Sequence, residues 1–210
     1  MTALPYPPIL VITDRMQCAE PLEARAASLF RGGCRFLSLR EKDMAPAERR
    51  ALLERLILLA RPFGATVGIH HDLDAALACN ARLHLPSAAD TQAARRALGP
   101  DRLIGKSCHT QAEIAAAARD GADYVTLSPF FPTASKPAYR SGLDLAGLNA
   151  IAAGSTLPVL ALGGVTRTTL PRLAGSGVKG IAIMGEAMTA ADPQGWFADI
   201  AYIWRSAKGR

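Results

Sequence analysis

The sequence predicts an α/β fold, a (β/α)8 (TIM) barrel in which residues 1–210 form one domain. Eight short strand-like runs occur in order, helical signals separate them, and the joints from helix to strand resemble one another. The joints GGCRFLSL, DGADYVTL and SGVKGIAI each carry a glycine able to end a helix, a short polar link and then an apolar run.

Taken in order, the first run is PILVITD (8–14) and the second is CRFLSLRE (34–41). AERRALLERLILLARPFG (47–64) follows, with leucines and isoleucines at the three- and four-residue spacing of a helix face. The third run, ATVGIHHD (65–72), leads into DLDAALACN, where Asp72 is placed to cap a helix. Asn80 tolerates the left-handed conformation and stands where other joints have glycine, ahead of the fourth run, ARLHLP (81–86). The fifth run, RLIGKSCH (102–109), precedes TQAEIAAAARDG, a helix with a Thr110 to Glu113 capping box and a stop at Gly121. ADYVTLSP (122–129), LPVLALGG (157–164) and KGIAIMGE (179–186) complete the set. Asp192-Pro193 opens the last helix, with Trp196, Ile200 and Ile203 as its apolar stripe.

Bulk properties narrow the function. Half of the 210 residues are hydrophobic, yet no apolar run approaches the ~18 residues that a membrane span needs. The start, MTALPYPPIL, lacks the pattern of a secretion signal, so a cytoplasmic protein is expected. Cys18, Cys34, Cys79 and Cys108 are scattered without a C-x-x-C pair, which argues against a zinc ribbon or disulfide framework. The net charge of +6 is dispersed, its longest basic runs being Arg49-Arg50 and Arg95-Arg96, so nucleic acid is not the expected partner.

In such a barrel chemistry sits at the carboxyl ends of the strands. Run two ends SLREKD, so period-two alternation puts Ser38, Arg40 and Lys42 on one face. If that face points inward, two cations converge and call for an anion; otherwise Glu41 and Asp43 neutralise them as a salt-bridged rim. Run seven ends with Gly163-Gly164, and run eight with Met184 and Gly185. Glycines there let a phosphate approach the backbone and meet N–H donors. Run six leads into LSPFFPTASKPAYR (127–140), where Lys136 is a further cation and Thr133 and Ser135 offer hydroxyls. With Ser107 from run five, Arg40, Lys42 and Lys136 form a candidate diphosphate clamp; Gly163, Gly164 and Gly185 form a candidate monophosphate cradle. Run three supplies His70, His71 and Asp72, of which Asp72 is a candidate Mg2+ ligand as well as a cap. Adjacent strand histidines are expected on opposite faces, which disfavours a shared ion.

VITD (11–14), LREK (39–42), IGKSCHTQAE (104–113), GADYVTLSPFFPTASKP (121–137), VLALGGV (159–165) and GIAIMG (180–185) together resemble the thiamine phosphate synthase and thiazole tautomerase superfamily. The resemblance runs from about residue 8 to 190 and implies a (β/α)8 barrel acting in thiamine biosynthesis. For a synthase it implies a transferase using Mg2+: a pyrimidine diphosphate loses pyrophosphate, and the nitrogen of a thiazole phosphate captures the resulting methylene cation. Carried over, Arg40, Lys42, Ser107 and Lys136 would hold the diphosphate, and Thr133, Ser135, Gly164 and the Gly185 loop the thiazole phosphate. Ser38, His70, His71, Gly163 and Met184 complete the expected substrate surface, and Asp72 the metal site.

The sequence departs from the synthase pattern on one side. Ser38 stands where the synthase carries glutamine, and its Asn-Asp pair corresponds to His70-His71 or His71-Asp72. The motif H-L-G-Q-x-D is reduced to HLPSAAD (84–90), so the second metal carboxylate is absent or displaced to Asp90. A thiazole tautomerase-like enzyme or a non-catalytic thiazole-phosphate-binding protein is the alternative. A tautomerase histidine in the strand-six loop corresponds to Pro129, which leaves His70 or His71 as its acid-base group.

Overall fold

A computed structural model describes residues 3–132 and 144–209. The sheet is a closed barrel of eight parallel strands, each paired with its sequence neighbours and the last with the first. The strands are β1 (Ile9–Ile12), β2 (Phe36–Leu39), β3 (Thr66–His70), β4 (Arg82–Leu85), β5 (Ile104–Cys108), β6 (Tyr124–Leu127), β7 (Val159–Leu162) and β8 (Gly180–Ile183). Every expected run contains one of them.

Around the barrel lie α1 (Leu22–Arg31), α2 (Pro46–Ala60), α3 (Leu73–Ala78), α4 (Thr91–Leu98), α5 (Gln111–Arg119), α6 (Leu145–Ala153), α7 (Gly185–Thr189) and α8 (Pro193–Ala207). The local signals act as their chemistry requires. Thr110 and Glu113 form the reciprocal capping box of α5, Asp192 caps α8, and Asn80 is left-handed at φ 53°. The crossover from β7 to β8 departs from strict alternation. It carries only a 3-10 turn, Leu170–Leu173.

Alternation along each strand divides the apolar residues into two layers. Ile9 and Val11 of β1, Leu37 and Leu39 of β2, and Val125 and Leu127 of β6 join the main core against the helices. Leu10, Ile12, Phe36, Tyr124, Leu160 and Ala182 form a second cluster inside the barrel. Gly105 is required there: a Cβ at this position would lie 2.1 Å from the Tyr124 ring, so only glycine lets the tyrosine cross the interior. Lys106 faces outward instead, with Nζ donating to the Ala89 carbonyl at 2.6 Å and to Thr91 Oγ1 at 2.9 Å, and so fastens the connection between β4 and α4.

Candidate active site

A cavity of about 840 Å³ opens at the carboxyl ends of the strands. Among the expected residues, Arg40, Lys42, His70, His71, Ser107, Gly163, Gly164, Met184 and Gly185 line it. Thr133, Ser135 and Lys136 lie outside the described residues. Ser38 and Asp72 are not on the lining, and each has a different job.

The floor is a network of neutral groups. Ser38 is 2% exposed and sits one layer below the surface, its Oγ joined by a 2.8 Å hydrogen bond to His70 Nδ1. His70 stacks on His84, ring centroids 4.4 Å apart. His84 is bonded through Nδ1 to the Tyr124 hydroxyl and through Nε2 to Ser107 Oγ, both at 3.0 Å. Burial pushes the His84 pKa down to about 3. Burial also holds His70 well below the usual imidazole range, and the positive charges of Arg40 and Lys42 add to that effect. Both rings are uncharged near neutrality. Ser107 therefore serves the rim with its position and the floor with its hydroxyl.

Above this floor the cations of β2 are free to meet a ligand, for a reason local sequence does not contain. Arg15, in the loop after β1, ion-pairs with Asp43 at 2.7 Å and Glu41 at 3.4 Å. Glu41 is fully engaged: Oε1 accepts from Thr13 Oγ1 at 2.7 Å, and both oxygens face the Arg15 backbone N–H at 3.1 Å. The salt-bridged rim therefore forms with Arg15, not with Arg40 and Lys42. Among the described residues neither Arg40 nor Lys42 has a carboxylate partner; Arg40 Nη1 approaches only Met184 Sδ, at 3.8 Å.

At the end of β3 alternation stops. His71 takes φ 55°, a left-handed turn, so His70 and His71 both line the same cavity, contrary to the expectation of opposite faces. Asp72 caps α3, Oδ1 accepting from the Ala75 N–H at 2.9 Å, while Oδ2 receives Arg49 Nη2 at 2.6 Å and Nε at 3.1 Å. These bonds to Ala75 and Arg49 outweigh the opposing cost of burial and hold its carboxyl below the usual range. Both oxygens of the expected metal ligand are occupied by the protein itself. Asp90, the possible replacement, caps α4 through Ala93 N–H at 2.9 Å. Among the described residues no group of three His, Cys, Asp or Glu side chains is placed to hold a metal.

The opposite wall is made of backbone. Gly163 and Gly164 both take positive φ, 90° and 64°. A Cβ on Gly164 would lie 2.4 Å from the Pro132 carbonyl oxygen, so this glycine is demanded by the close approach of two loops. Gly185 is different, since a Cβ there would meet only Gln17 Oε1, at 3.6 Å.

Sequence reasoning did not single out Arg49, His84, His109 or Glu186 as site residues. Arg49 and His109 line the cavity, His109 with Nδ1 2.8 Å from the Ser128 carbonyl. His84 and His109 could have been noticed as polar residues on strand runs of apolar composition, but Arg49 sits on a helix with an ordinary surface pattern.

A family model described as thiamine monophosphate synthase matches residues 9–187. A thiamine-phosphate synthase of Chlorobium luteolum is 36% identical over 90% of this chain and 90% of its own length. That of Roseiflexus castenholzii is 34% identical over 91% and 87%. Among solved structures, a thiamine phosphate pyrophosphorylase from Pyrococcus furiosus superposes with a TM-score of 0.84 at 26% identity, covering 95% of this chain and 96% of that one.

Proposed function

The chain belongs to the thiamine monophosphate synthase family, and from that membership we propose how its own rim carries out the family's transfer. The protein is a thiamine phosphate synthase-like transferase that joins a hydroxymethylpyrimidine diphosphate to a thiazole phosphate and releases pyrophosphate. The C–O bond between pyrimidine methylene and diphosphate breaks, its electron pair leaving with the diphosphate. The lone pair of the thiazole nitrogen then forms the new C–N bond.

The barrier to this reaction is charge separation, so catalysis needs positive charge fixed where the leaving group gathers negative charge. Arg40 and Lys42 supply it, and Ser107, accepting from His84 Nε2–H, turns its own O–H to the anion. Lys136, which enters on the sequence alone, is the further member of the clamp. The methylene that becomes cationic needs the reverse, surroundings without positive charge. The uncharged His70 and His84 meet that need, and Ser38 fixes the His70 ring. The glycine wall at Gly163, Gly164 and Gly185 receives the thiazole phosphate, with Thr133 and Ser135 expected beside it. The observation that carries this reading is the pair of rim cations, Arg40 and Lys42, left without carboxylate partners among the described residues.

Mg2+ is the ion that the family generally employs, and the residues here do not fit one held by the protein. Asp72 and Asp90 are engaged as caps, and Asp72 also by Arg49, so no step is derived through a metal. Relatives named as thiamine-phosphate synthases favour the synthase over the tautomerase or binding-only alternatives. No helix among the described residues is long and apolar enough to cross a membrane, and a cytoplasmic setting with small phosphorylated partners is part of the proposal.

The test is to supply the purified protein with both substrates, with and without Mg2+, and to detect thiamine phosphate by chromatography. Product formation is expected. Its absence under both conditions, with thiazole phosphate still bound, removes the synthase reading.

A further inference from the structure

The metal site that the family implies and the side chains that this chain provides disagree, and the disagreement has a direction. On the β2 and β3 side of the mouth every nearby carboxylate is already engaged. Glu41 and Asp43 are held by Arg15, and Asp72 by Arg49 and the Ala75 N–H. On the β4 side Asp90 caps α4. Residues 133–143, read as sequence, contain no Asp, Glu, His or Cys. Glu186 is the other carboxylate on the cavity wall; its Oε2 accepts from Arg167 N–H at 3.1 Å and Trp196 Nε1 at 3.2 Å. One remaining oxygen is a poor anchor for a small cation that binds through carboxylates and demands near-octahedral geometry.

What stands at this corner instead is positive charge, and Arg15 keeps it available. Glu41 and Asp43 flank Lys42 in sequence and are the natural counter-ions of Arg40 and Lys42. Arg15 draws both away from 26 and 28 residues earlier in the chain. We propose that this chain binds the diphosphate end of its substrate without a metal ion held on the protein, Arg40 and Lys42 taking the anion directly and Arg15 acting as the positioning residue that keeps them unpaired. This rests on the synthase reading above, because it identifies the anion as a diphosphate.

The experiment is calorimetric titration of inorganic pyrophosphate into the purified full chain, in EDTA and in excess MgCl2. One pyrophosphate per chain is expected to bind in EDTA, with no gain from Mg2+. Arg15→Gln should weaken that binding about tenfold, the size expected when the released Asp43 and Glu41 compete with the anion for Arg40 and Lys42, and Arg15→Lys should restore most of it. Thermal melting of both variants separates lost folding from lost charge positioning. Binding only in the presence of Mg2+ overturns the inference and leaves the synthase reading intact; if Glu186→Gln then abolishes it, the ion sits on Glu186. Binding in neither buffer removes the diphosphate site itself, and with it the functional reading of this rim. Unchanged affinity in a folded Arg15→Gln variant removes the role of Arg15.

Discussion

The two walls of the mouth are built from different materials. The β2–β3 wall is made of side chains: Arg40 and Lys42 held open by Arg15, with His70 and His71 beside them. The β7–β8 wall turns on backbone, with Gly163 and Gly164 in left-handed conformations pressed against the loop after β6 and Met184 and Glu186 beside them. Every departure from the synthase pattern falls on the strands and loops of the first wall or its neighbour β4: Ser38, His70-His71 and the HLPSAAD segment. Side chains can be exchanged while a strand keeps its course. A glycine whose Cβ position is occupied by a neighbouring carbonyl cannot.

That contrast predicts its largest effect on the backbone wall. Gly164→Val places a β-branched residue at φ 64° with its Cβ 2.4 Å from the Pro132 oxygen, and should cost about 3 kcal/mol or more of stability. Thermal unfolding measures it, and a variant as stable as the parent would dissolve the distinction between the walls. The sequence marked this glycine as a place for a phosphate to approach; the geometry makes a side chain here a defect of folding, because the Cβ points at protein.

On the side-chain wall, Arg40→Ala should fold normally and lower kcat/KM by about 10²–10³, the usual loss when one group stabilising developing charge is removed. Steady-state kinetics beside a melting curve separates these effects. A drop in stability with kinetics intact would make Arg40 a structural residue.

The floor between the walls carries a pH signature. The folded-state pKa of His84 is near 3 against an ordinary 6.5, so the unfolded chain binds the extra proton first as pH falls. Its contribution to stability is complete above 6.5 and is lost progressively as pH falls from there toward 3. Denaturant titrations at neutrality and in mild acid should show this loss, and His84→Gln should flatten the dependence. An unchanged slope in the variant would assign the acid sensitivity to other groups.

The smallest effect belongs to Gly185. Its added methyl would meet nothing closer than Gln17 Oε1 at 3.6 Å, so Gly185→Ala should melt with the parent and raise KM for thiazole phosphate a few-fold. An unchanged KM would take Gly185 out of the phosphate wall.

The barrel was legible because it depends on local order: eight runs with period-two alternation, and stops such as Gly121 and Asn80 that act within one turn. The strand-end rule was enough to bring Arg40, Lys42, Ser107 and the glycines to one mouth. What sequence left open depends on partners far along the chain. Nothing near LREKD says that Arg15 takes both of its carboxylates, and nothing near HHD says that Arg49 closes on Asp72. Ser38 was expected at the ligand surface because it shares a face with Arg40; the bulk of His70 above it puts it one layer down. The 3-10 turn before β8 escaped because Leu170–Leu173 is too short to carry a periodic signal.

Arg40 and Lys42, just past β2 and without a carboxylate partner among the described residues, are held ready to receive a diphosphate. A crystal structure of the protein with pyrophosphate tests it most directly. Phosphate oxygens are expected within hydrogen-bonding distance of Arg40 and Lys42, with Arg15 still on Glu41 and Asp43. Pyrophosphate bound elsewhere, or Arg40 and Lys42 turned onto those carboxylates, would contradict it.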